Sequence, residues 1–181
     1  MYIDPTLYTD APADRTGREE KELACYALLG KLGIPFARAD HDSADTIELC
    51  HKIESLLGAS ICKNLFLCNA QKTAFYLLMM PGDKPFRTKD LSKQIGSARL
   101  SFAPPEHMLR CLNITPGSVS VLGLMNDRDR EVRLLIDRDL LADAEFGCHP
   151  CMNTSSLKLA TADLLDRLLP ALGYVPTFVA L

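Results

Sequence analysis

Two cysteines near the C-terminal end of the chain, Cys148 and Cys151, have the spacing of a redox motif. A Cys-x-x-Cys pair lowers a thiol pKa and supports thiol–disulfide exchange in thioredoxin-like proteins. In that fold the motif follows an early strand and opens a helix, whereas here it runs into a polar loop that enters a strand. This context disfavours redox chemistry. It also disfavours zinc, because the other cysteines form no second close pair.

His149, which lies between the two cysteines, is a better candidate for chemistry. Gly147 permits unusual backbone angles and Pro150 stiffens the other side, so together they would hold an imidazole in one pose. A lone histidine is more often structural, and the residues alone leave both interpretations open.

Lys63 and Asn64 interrupt an apolar run at residues 61–67. A charge inside such a strand costs free energy unless it meets an anion or another partner. A lysine on an edge strand that faces water is the alternative. Further along the chain, Ser118 and Gly123 could bring backbone N–H groups close to a ligand, although a glycine there could instead mark a β-bulge.

The sequence lacks the motifs of several common enzyme classes. It contains no G-x-x-x-x-G-K-[ST] nucleotide loop, no H-E-x-x-H zinc site and no G-x-S-x-G nucleophile elbow. Kinase and ordinary hydrolase functions therefore have no support.

Charge is distributed unevenly along the chain. The net charge of −3 over 181 residues disfavours a protein that grips long nucleic acids. Residues 84–99 nevertheless carry five cations against one acid, and Lys84, Arg87 and Arg99 are candidates for contact with a few phosphates. A solvated helix face is the alternative interpretation.

The sequence predicts a cytoplasmic protein. The longest apolar runs, such as residues 75–80, are far shorter than the roughly 20 residues of a membrane span. The first 22 residues are polar and acidic, unlike a signal peptide. Seven scattered cysteines do not predict a disulfide framework.

Hydrophobic periodicity and turn residues predict the elements that would position the candidate residues. In the first half we expect helices at 17–32 and 45–57 and a strand at 35–41. A hairpin follows, with strands at 61–68 and 73–80. Asp45 and Glu48 form a capping box for the second helix. In the second half we expect helices at 88–95, 105–112 and 161–172, an extended segment at 99–103, a second hairpin at 118–125 with 131–136, at most a helical turn at 139–144, a loop at 147–154 and a strand at 155–160.

These elements predict one domain, residues 17–181, after a loose N-terminal arm, residues 1–16. Strands mostly in hairpins with helices between them indicate an α/β (α+β) fold, built as a mixed, largely antiparallel sheet or partial barrel with surrounding helices.

Six short segments resemble one family in order and spacing. They are Lys-Asn-Leu-Phe-Leu at 63–67, Arg-Leu-Ser-Phe-Ala at 99–103, Pro-Gly-Ser-Val-Ser at 116–120 with Leu-Gly-Leu at 122–124, and Gly-Cys-His-Pro at 147–150 with Asn-Thr at 153–154. The chain resembles the YbaK-like, prolyl-tRNA synthetase-associated editing family from about residue 20 onwards, and within it the free-standing alanyl-tRNA(Pro) deacylases. The resemblance implies a compact fold around a mixed sheet, with a pocket for the aminoacylated 3′ end of tRNA.

The resemblance also implies roles for individual residues. Lys63 matches the family's motif lysine, which engages a phosphate near the terminal adenosine, and Asn64 matches its neighbour. Gly147 and His149 match the loop that lines the site, and Thr46 resembles a pocket-lining threonine. Further substrate-binding candidates are Ile61, Leu65, Phe102, Ser118, Gly123 and Asn153. The thiols of Cys148 and Cys151 depart from the family pattern.

The implied reaction is hydrolysis of alanyl-tRNA(Pro) to alanine and tRNA(Pro) by a positioned water, without a protein nucleophile, metal or cofactor. Lys63 would orient the ester by charge. A synthetase pocket built for proline cannot strongly exclude alanine, because one or two methylenes are worth only about 1–3 kcal/mol, so a smaller editing pocket would act as a second sieve.

Other functions stay open at this stage. A cysteinyl-tRNA(Pro) deacylase and a non-catalytic module that binds aminoacyl-tRNA or a synthetase both fit the motifs. The expected partner is the aminoacylated 3′ end of tRNA(Pro), with Lys84, Arg87 and Arg99 as candidate tRNA contacts. Prolyl-tRNA synthetase and an elongation factor are candidate transient partners, and no membrane partner is expected.

Overall fold

The computed structural model describes residues 2–43 and 47–181. Four α-helices precede the C-terminal helix: α1 Glu20–Leu32, α2 Ile47–Leu57, α3 Thr88–Ile95 and α4 Pro105–Leu112. The strands are β1 Ala37–Asp40, β2 Lys63–Asn69, β3 Phe75–Met80, β4 Leu100–Phe102, β5 Val132–Asp137, β6 Glu145–Cys148, β7 Ser155–Ala160 and β8 Thr177–Val179. The C-terminal helix covers residues 161–172, and its middle, Leu164–Leu168, is π-helical.

The strands form two sheets. The smaller sheet has the order β1-β7-β6 and is antiparallel throughout. The larger sheet has the order β4-β2-β3-β5-β8, with antiparallel pairs on one side and parallel pairs from β3 to β5 and from β5 to β8. The predicted mixed, largely antiparallel architecture with surrounding helices is confirmed. It consists of two sheets, and the described strands close no barrel.

Side-chain alternation in the larger sheet separates two apolar clusters. Phe66 and Leu77 face the main core, which the smaller sheet, α1, α4 and the C-terminal helix complete. Leu67 and Leu78 face a second cluster, which α3 covers. A third cluster lies under α2, on the outer face of the smaller sheet, and includes Ala39.

One contact joins the two sheets. Ile61, just before β2, forms a parallel β-bridge with Gly147 of β6. The Gly147 N–H donates to the Ser60 carbonyl over 2.8 Å, and the Cys62 N–H donates to the Gly147 carbonyl over 2.9 Å. We call this contact the sheet junction. It brings the start of β2 next to the end of β6, although these segments are far apart in the sequence.

The predicted second hairpin is wrong. Val121–Asn126 is a 3-10 helix, because the Ser120 hydroxyl accepts the Leu122 N–H over 3.2 Å and begins a helical turn there. β5 then pairs in parallel with β3 instead of turning back on the preceding segment. The predicted loop at 147–154 begins too early, since β6 runs to Cys148, and β8 was not predicted.

The N-terminal arm lies along β1. Tyr8 and Arg38 exchange backbone hydrogen bonds of 2.9 and 2.7 Å, and the Asp4 N–H donates to the Asp40 carbonyl over 2.9 Å. The Asp45 part of the predicted capping box lies outside the described residues. Within the described residues, no helix has the length and apolar character needed to cross a membrane.

Candidate functional site

Lys63 begins β2, two residues beyond Ile61 of the sheet junction. Its side chain is partly buried, and its Nζ donates to the Lys84 carbonyl over 2.7 Å. The turn that carries Lys84 packs closely on the junction, because a Cβ on Gly82 would lie 2.4 Å from the Ile61 carbonyl oxygen. An ammonium group has three N–H donors, so two remain for a ligand.

Asn64 points to the opposite face of β2 and carries an unused acceptor. Its Nδ2 lies 3.4 Å from the Cys62 carbonyl oxygen and 3.3 Å from the Cys62 Sγ. Since a carbonyl can only accept, this contact assigns the amide nitrogen to that side. The Oδ1 is buried without a hydrogen-bond partner in the described part of the chain. A buried acceptor of this kind is ready to receive an N–H or O–H from a bound group.

Gly147 is required by close packing. A Cβ at this position would lie 2.9 Å from Ile61 Cγ1, 3.0 Å from Ile61 Cα and 3.2 Å from the Ser60 carbonyl oxygen. Its φ angle is not in the left-handed region. The reason for a glycine is therefore the approach of two backbones at the junction, and not the unusual backbone angle that the sequence suggested.

His149 follows β6, two residues beyond Gly147. Its Nδ1 lies 3.0 Å from the Ser155 carbonyl oxygen, and its ring centroid is 6.4 Å from that of His41. Burial lowers the pKa of His149, and the Ser155 carbonyl only partly offsets this effect. The imidazole is therefore neutral near pH 7.

The junction brings together five of the candidate residues. Because the Ile61–Gly147 bridge is parallel, Lys63 and His149 each lie two residues beyond it in the same direction. Asn153 lies further along the His149 loop, and its Nδ2 donates to the Ser43 hydroxyl over 2.8 Å. Thr46 lies outside the described residues. Members of the junction group are Ile61, Lys63, Asn64, Gly147 and His149.

The other substrate-binding candidates lie elsewhere in the fold. Leu65 packs on the cluster under α3, and Phe102 on β4 is 61% exposed, with its ring 6.3 Å from that of Phe86. Ser118 is buried. Gly123 is also buried, with its N–H donated to the Ser120 carbonyl, and a Cβ there would lie 2.3 Å from Ile114 Cδ1. Gly123 is thus placed in the core.

The three predicted phosphate contacts differ in their availability. The Lys84 Nζ lies 2.8 Å from Asp137 Oδ2 and 2.6 Å from Asp139 Oδ2, so its charge is already paired. Arg87 and Arg99 are exposed and have no partner among the described residues. A cavity of about 440 Å³ lies beside α3 and is lined by Thr88, Lys89, Ser92 and Arg99. We call Arg87, Lys89, Lys93 and Arg99 the α3 cationic face.

The sequence did not indicate two residues next to His149. His41 directly follows β1, and Ser156 lies in β7; both are buried. A histidine followed by acidic residues and a serine in a strand carry no local signal of a shared site, because the pairing of β1 with β7 brings them together. Among the described residues, no group of three or more His, Cys, Asp or Glu side chains could hold a metal ion.

Comparisons with known proteins agree on one family. Residues 41–167 match the model of the aminoacyl-tRNA editing domain. The prolyl-tRNA editing protein ProX of Acetoanaerobium sticklandii is 34% identical over 150 residues, which are 83% of this chain and 91% of that protein. Prolyl-tRNA synthetase associated domain-containing protein 1 of Mus musculus is 32% identical over 142 residues, covering 76% and 83% of the two chains.

A solved structure supports the fold. The crystal structure of a candidate trans-editing enzyme for prolyl-tRNA synthetase superimposes with a TM-score of 0.66 over 90% of this chain and 98% of that one. The two sequences are 15% identical, so this likeness bears on the architecture alone.

Proposed function

Because the chain belongs to the aminoacyl-tRNA editing domain family, we propose that it is a deacylase that hydrolyses alanine from wrongly charged tRNA(Pro). The observation that carries this proposal is the sheet junction, because Lys63 and His149 each lie two residues beyond its parallel bridge. A cation and a neutral imidazole on the two segments that meet at this junction suit an ester that joins an amino acid to a nucleotide.

Lys63 orients the nucleotide end by charge. Its Nζ donates to the Lys84 carbonyl, and this hydrogen bond fixes the direction of the side chain. The two remaining N–H groups suit a phosphate oxygen near the terminal adenosine. Lys63 does not act as a base in this scheme, and arginine should replace it in part.

Water attacks the ester carbonyl in the proposed mechanism. The tetrahedral intermediate needs hydrogen-bond donors for its oxyanion, and backbone N–H groups and the vicinal ribose hydroxyl of the substrate can supply donors and handle the proton. The imidazole of His149 is an acceptor for a donor group on the substrate or the water. No serine or cysteine nucleophile is required.

Alanine is proposed as the substrate on grounds of size. Ile61 packs closely on Gly147, and its carbonyl oxygen would lie 2.4 Å from a Cβ on Gly82, so the junction is closely packed. A small pocket admits alanine and rejects the bulkier proline ring, the inverse of what the synthetase pocket selects. Cysteine is close to alanine in size and is the second candidate.

The α3 cationic face is the proposed contact for the tRNA acceptor end. Its four cations are exposed, and exposed lysine and arginine side chains bind phosphates mainly by charge. Lys84 is not among the proposed tRNA contacts, because its ammonium group is paired with the carboxylates of Asp137 and Asp139. Prolyl-tRNA synthetase or an elongation factor would hand over the substrate transiently.

Deacylation assays test the proposal. Purified protein is incubated with alanyl-, cysteinyl- and prolyl-tRNA(Pro) carrying a labelled amino acid, and release of the label is followed. We expect fast release of alanine and little release of proline. Lys63→Ala should lose most activity and Lys63→Arg should keep part of it. Equal rates for alanine and proline would refute the size sieve, and binding without release would favour the non-catalytic module.

A further inference from the structure

Hydrogen bonds around His149 determine which of its nitrogens carries the proton. Its Nδ1 lies 3.0 Å from the Ser155 carbonyl oxygen, which can only accept. Nδ1 must therefore be the protonated nitrogen. Since burial keeps the ring neutral near pH 7, Nε2 carries a lone pair, and within the described residues it has no hydrogen-bond partner.

A second histidine completes the arrangement through a serine. The Nδ1 of His41 donates to the Asp42 carbonyl over 2.8 Å, and burial lowers the pKa of His41 so that the ring is neutral near pH 7; its Nε2 is therefore an acceptor. The Ser156 hydroxyl lies 2.9 Å from that Nε2 and donates its proton to it. Its oxygen then faces the Nδ1 of His149 with a lone pair, at 3.4 Å. In this series of hydrogen bonds from His41 through Ser156 to His149, each donor has an acceptor.

We infer that Ser156 and His41 are positioning residues that hold His149 with its proton on Nδ1, so that Nε2 is presented as the acceptor for a donor group at the aminoacyl end of the substrate. This role rests on the proposed function only in assigning His149 to the site. If Ser156 donated to His149 instead, the Nδ1 of His149 would need a lone pair, and the bond to the Ser155 carbonyl would be lost.

The fold makes this arrangement rigid. In the antiparallel pairing of β1 with β7, Ser156 lies opposite Ala39 and Ser155 lies opposite Asp40. The Ser155 hydroxyl donates to Asp40 Oδ1 over 2.7 Å, which anchors the residue whose carbonyl holds His149. Ser155 and Ser156 are both fully buried. A buried, fully satisfied network of this kind specifies one geometry.

The first experiment reads the tautomer directly. Long-range ¹H–¹⁵N spectra of ¹⁵N-histidine-labelled protein at pH 7.5 distinguish Nδ1–H from Nε2–H, and the four histidines are assigned by single substitutions. We expect His149 to carry its proton on Nδ1. An Nε2–H signal for His149 would overturn the inference even if the protein deacylates tRNA. Nδ1–H in a protein without deacylase activity would instead sink the proposed function and leave the tautomer assignment standing.

The second experiment tests the positioning residues. Ser156→Ala and His41→Leu should each lower kcat for deacylation by about tenfold to 100-fold with a smaller change in KM, because His149 is misplaced. His41→Gln keeps an acceptor for Ser156 and should recover most of the loss. Thr161→Val removes a buried hydroxyl from the start of the C-terminal helix and serves as the control, with kcat unchanged. Full activity in Ser156→Ala, or equal losses in His41→Leu and His41→Gln, would refute the positioning role.

Discussion

Ile61 and Gly147 meet backbone to backbone, and this contact leaves no room for a side chain at residue 147. We therefore expect Gly147→Ala to separate the two sheets at the point where Lys63 and His149 begin. Overpacking of this kind costs about 1–3 kcal/mol of unfolding free energy. Urea unfolding would measure the loss, and deacylation should fall by more than the unfolded fraction explains.

Gly30 provides the matched control for this substitution. It lies within α1, and a Cβ there would meet no atom within 4 Å. Gly30→Ala should be neutral or stabilise the protein by up to about 1 kcal/mol, because alanine loses less backbone entropy in a helix. Similar destabilisation by both substitutions would contradict the claim that close packing at the junction excludes a side chain at residue 147.

Local patterns predicted the local elements well. The hairpin of β2 and β3 follows from two apolar runs around a short polar turn, and Lys63 pairs with Met80 across it. The parallel pairing of β5 with β3 was missed because its partner is distant in the sequence and leaves no periodic signal. Ser120 was also missed as a helix cap, because the apolar residues after it fit a strand equally well.

The members of the candidate site could be proposed from the sequence only in part, for the same reason. Lys63 and His149 stand out as a charge in a strand and a histidine beside a glycine, and each is visible within a few residues. His41 and Ser156 become partners only through the register of β1 and β7. The pairing of Lys84 with Asp137 also depends on tertiary structure, so a count of cations could not show that Lys84 is occupied.

Lys84 should matter for stability more than for binding. Asp137 is fully buried, and the Lys84 Nζ at 2.8 Å is its cationic partner. Lys84→Met should cost about 3 kcal/mol of unfolding free energy, the lower end of the range for a buried pair that loses one partner. Lys84→Met combined with Asp137→Asn should regain more than half of it. Lys89→Met, which removes an exposed cation, should change stability by less than about 0.5 kcal/mol. A neutral Lys84→Met variant would contradict this account.

The α3 cationic face should govern the salt dependence of catalysis. Each phosphate contact contributes a slope of about −0.7 to −0.9 to log(kcat/KM) against log salt concentration when association limits the rate. Lys89→Ala and Arg99→Ala should each flatten that slope by about this amount. Arg128→Ala, an exposed cation in the turn before β5, should leave it unchanged. Identical slopes in all three variants would remove the face from the tRNA contact.

The Cys-x-x-Cys thiols should be inert in the native protein. Cys148 and Cys151 are fully buried, and burial raises the pKa of the Cys148 thiol well above its usual value. Cys151 faces Cys25, with the two sulfur atoms 3.5 Å apart. All seven cysteines lie in the described residues, and Cys50 is the one that is not buried.

Titration with a disulfide reagent such as DTNB measures this difference. About one thiol per chain should react in native buffer and all seven after unfolding. Cys50→Ser should abolish the native reaction. Rapid native labelling at Cys148 or Cys151 would revive the redox interpretation.

His41 and His149 should make stability fall as the pH drops below about 6.5. Burial lowers the pKa of both His41 and His149 below the ordinary value of 6.5. As pH falls below 6.5 the unfolded chain binds protons that the folded chain resists, so the unfolding free energy falls, by at most about 1.4 kcal/mol per pH unit for each histidine. The fall ends when the pH reaches the folded pKa values.

Carboxylates act in the same direction but at lower pH. The pKa values of Asp40 and Glu48 are below their ordinary values of 3.8 and 4.5, so their contribution to stability is lost only as the pH falls below those values. Urea midpoints at pH 7.5, 6.0 and 5.0 therefore isolate the histidines. His41→Gln should show a shallower decline than the wild type. His51→Gln removes an exposed histidine and serves as the control, with a decline like that of the wild type. Parallel declines in the wild type and His41→Gln would mean that His41 takes up its proton as readily in the folded protein as in the unfolded chain.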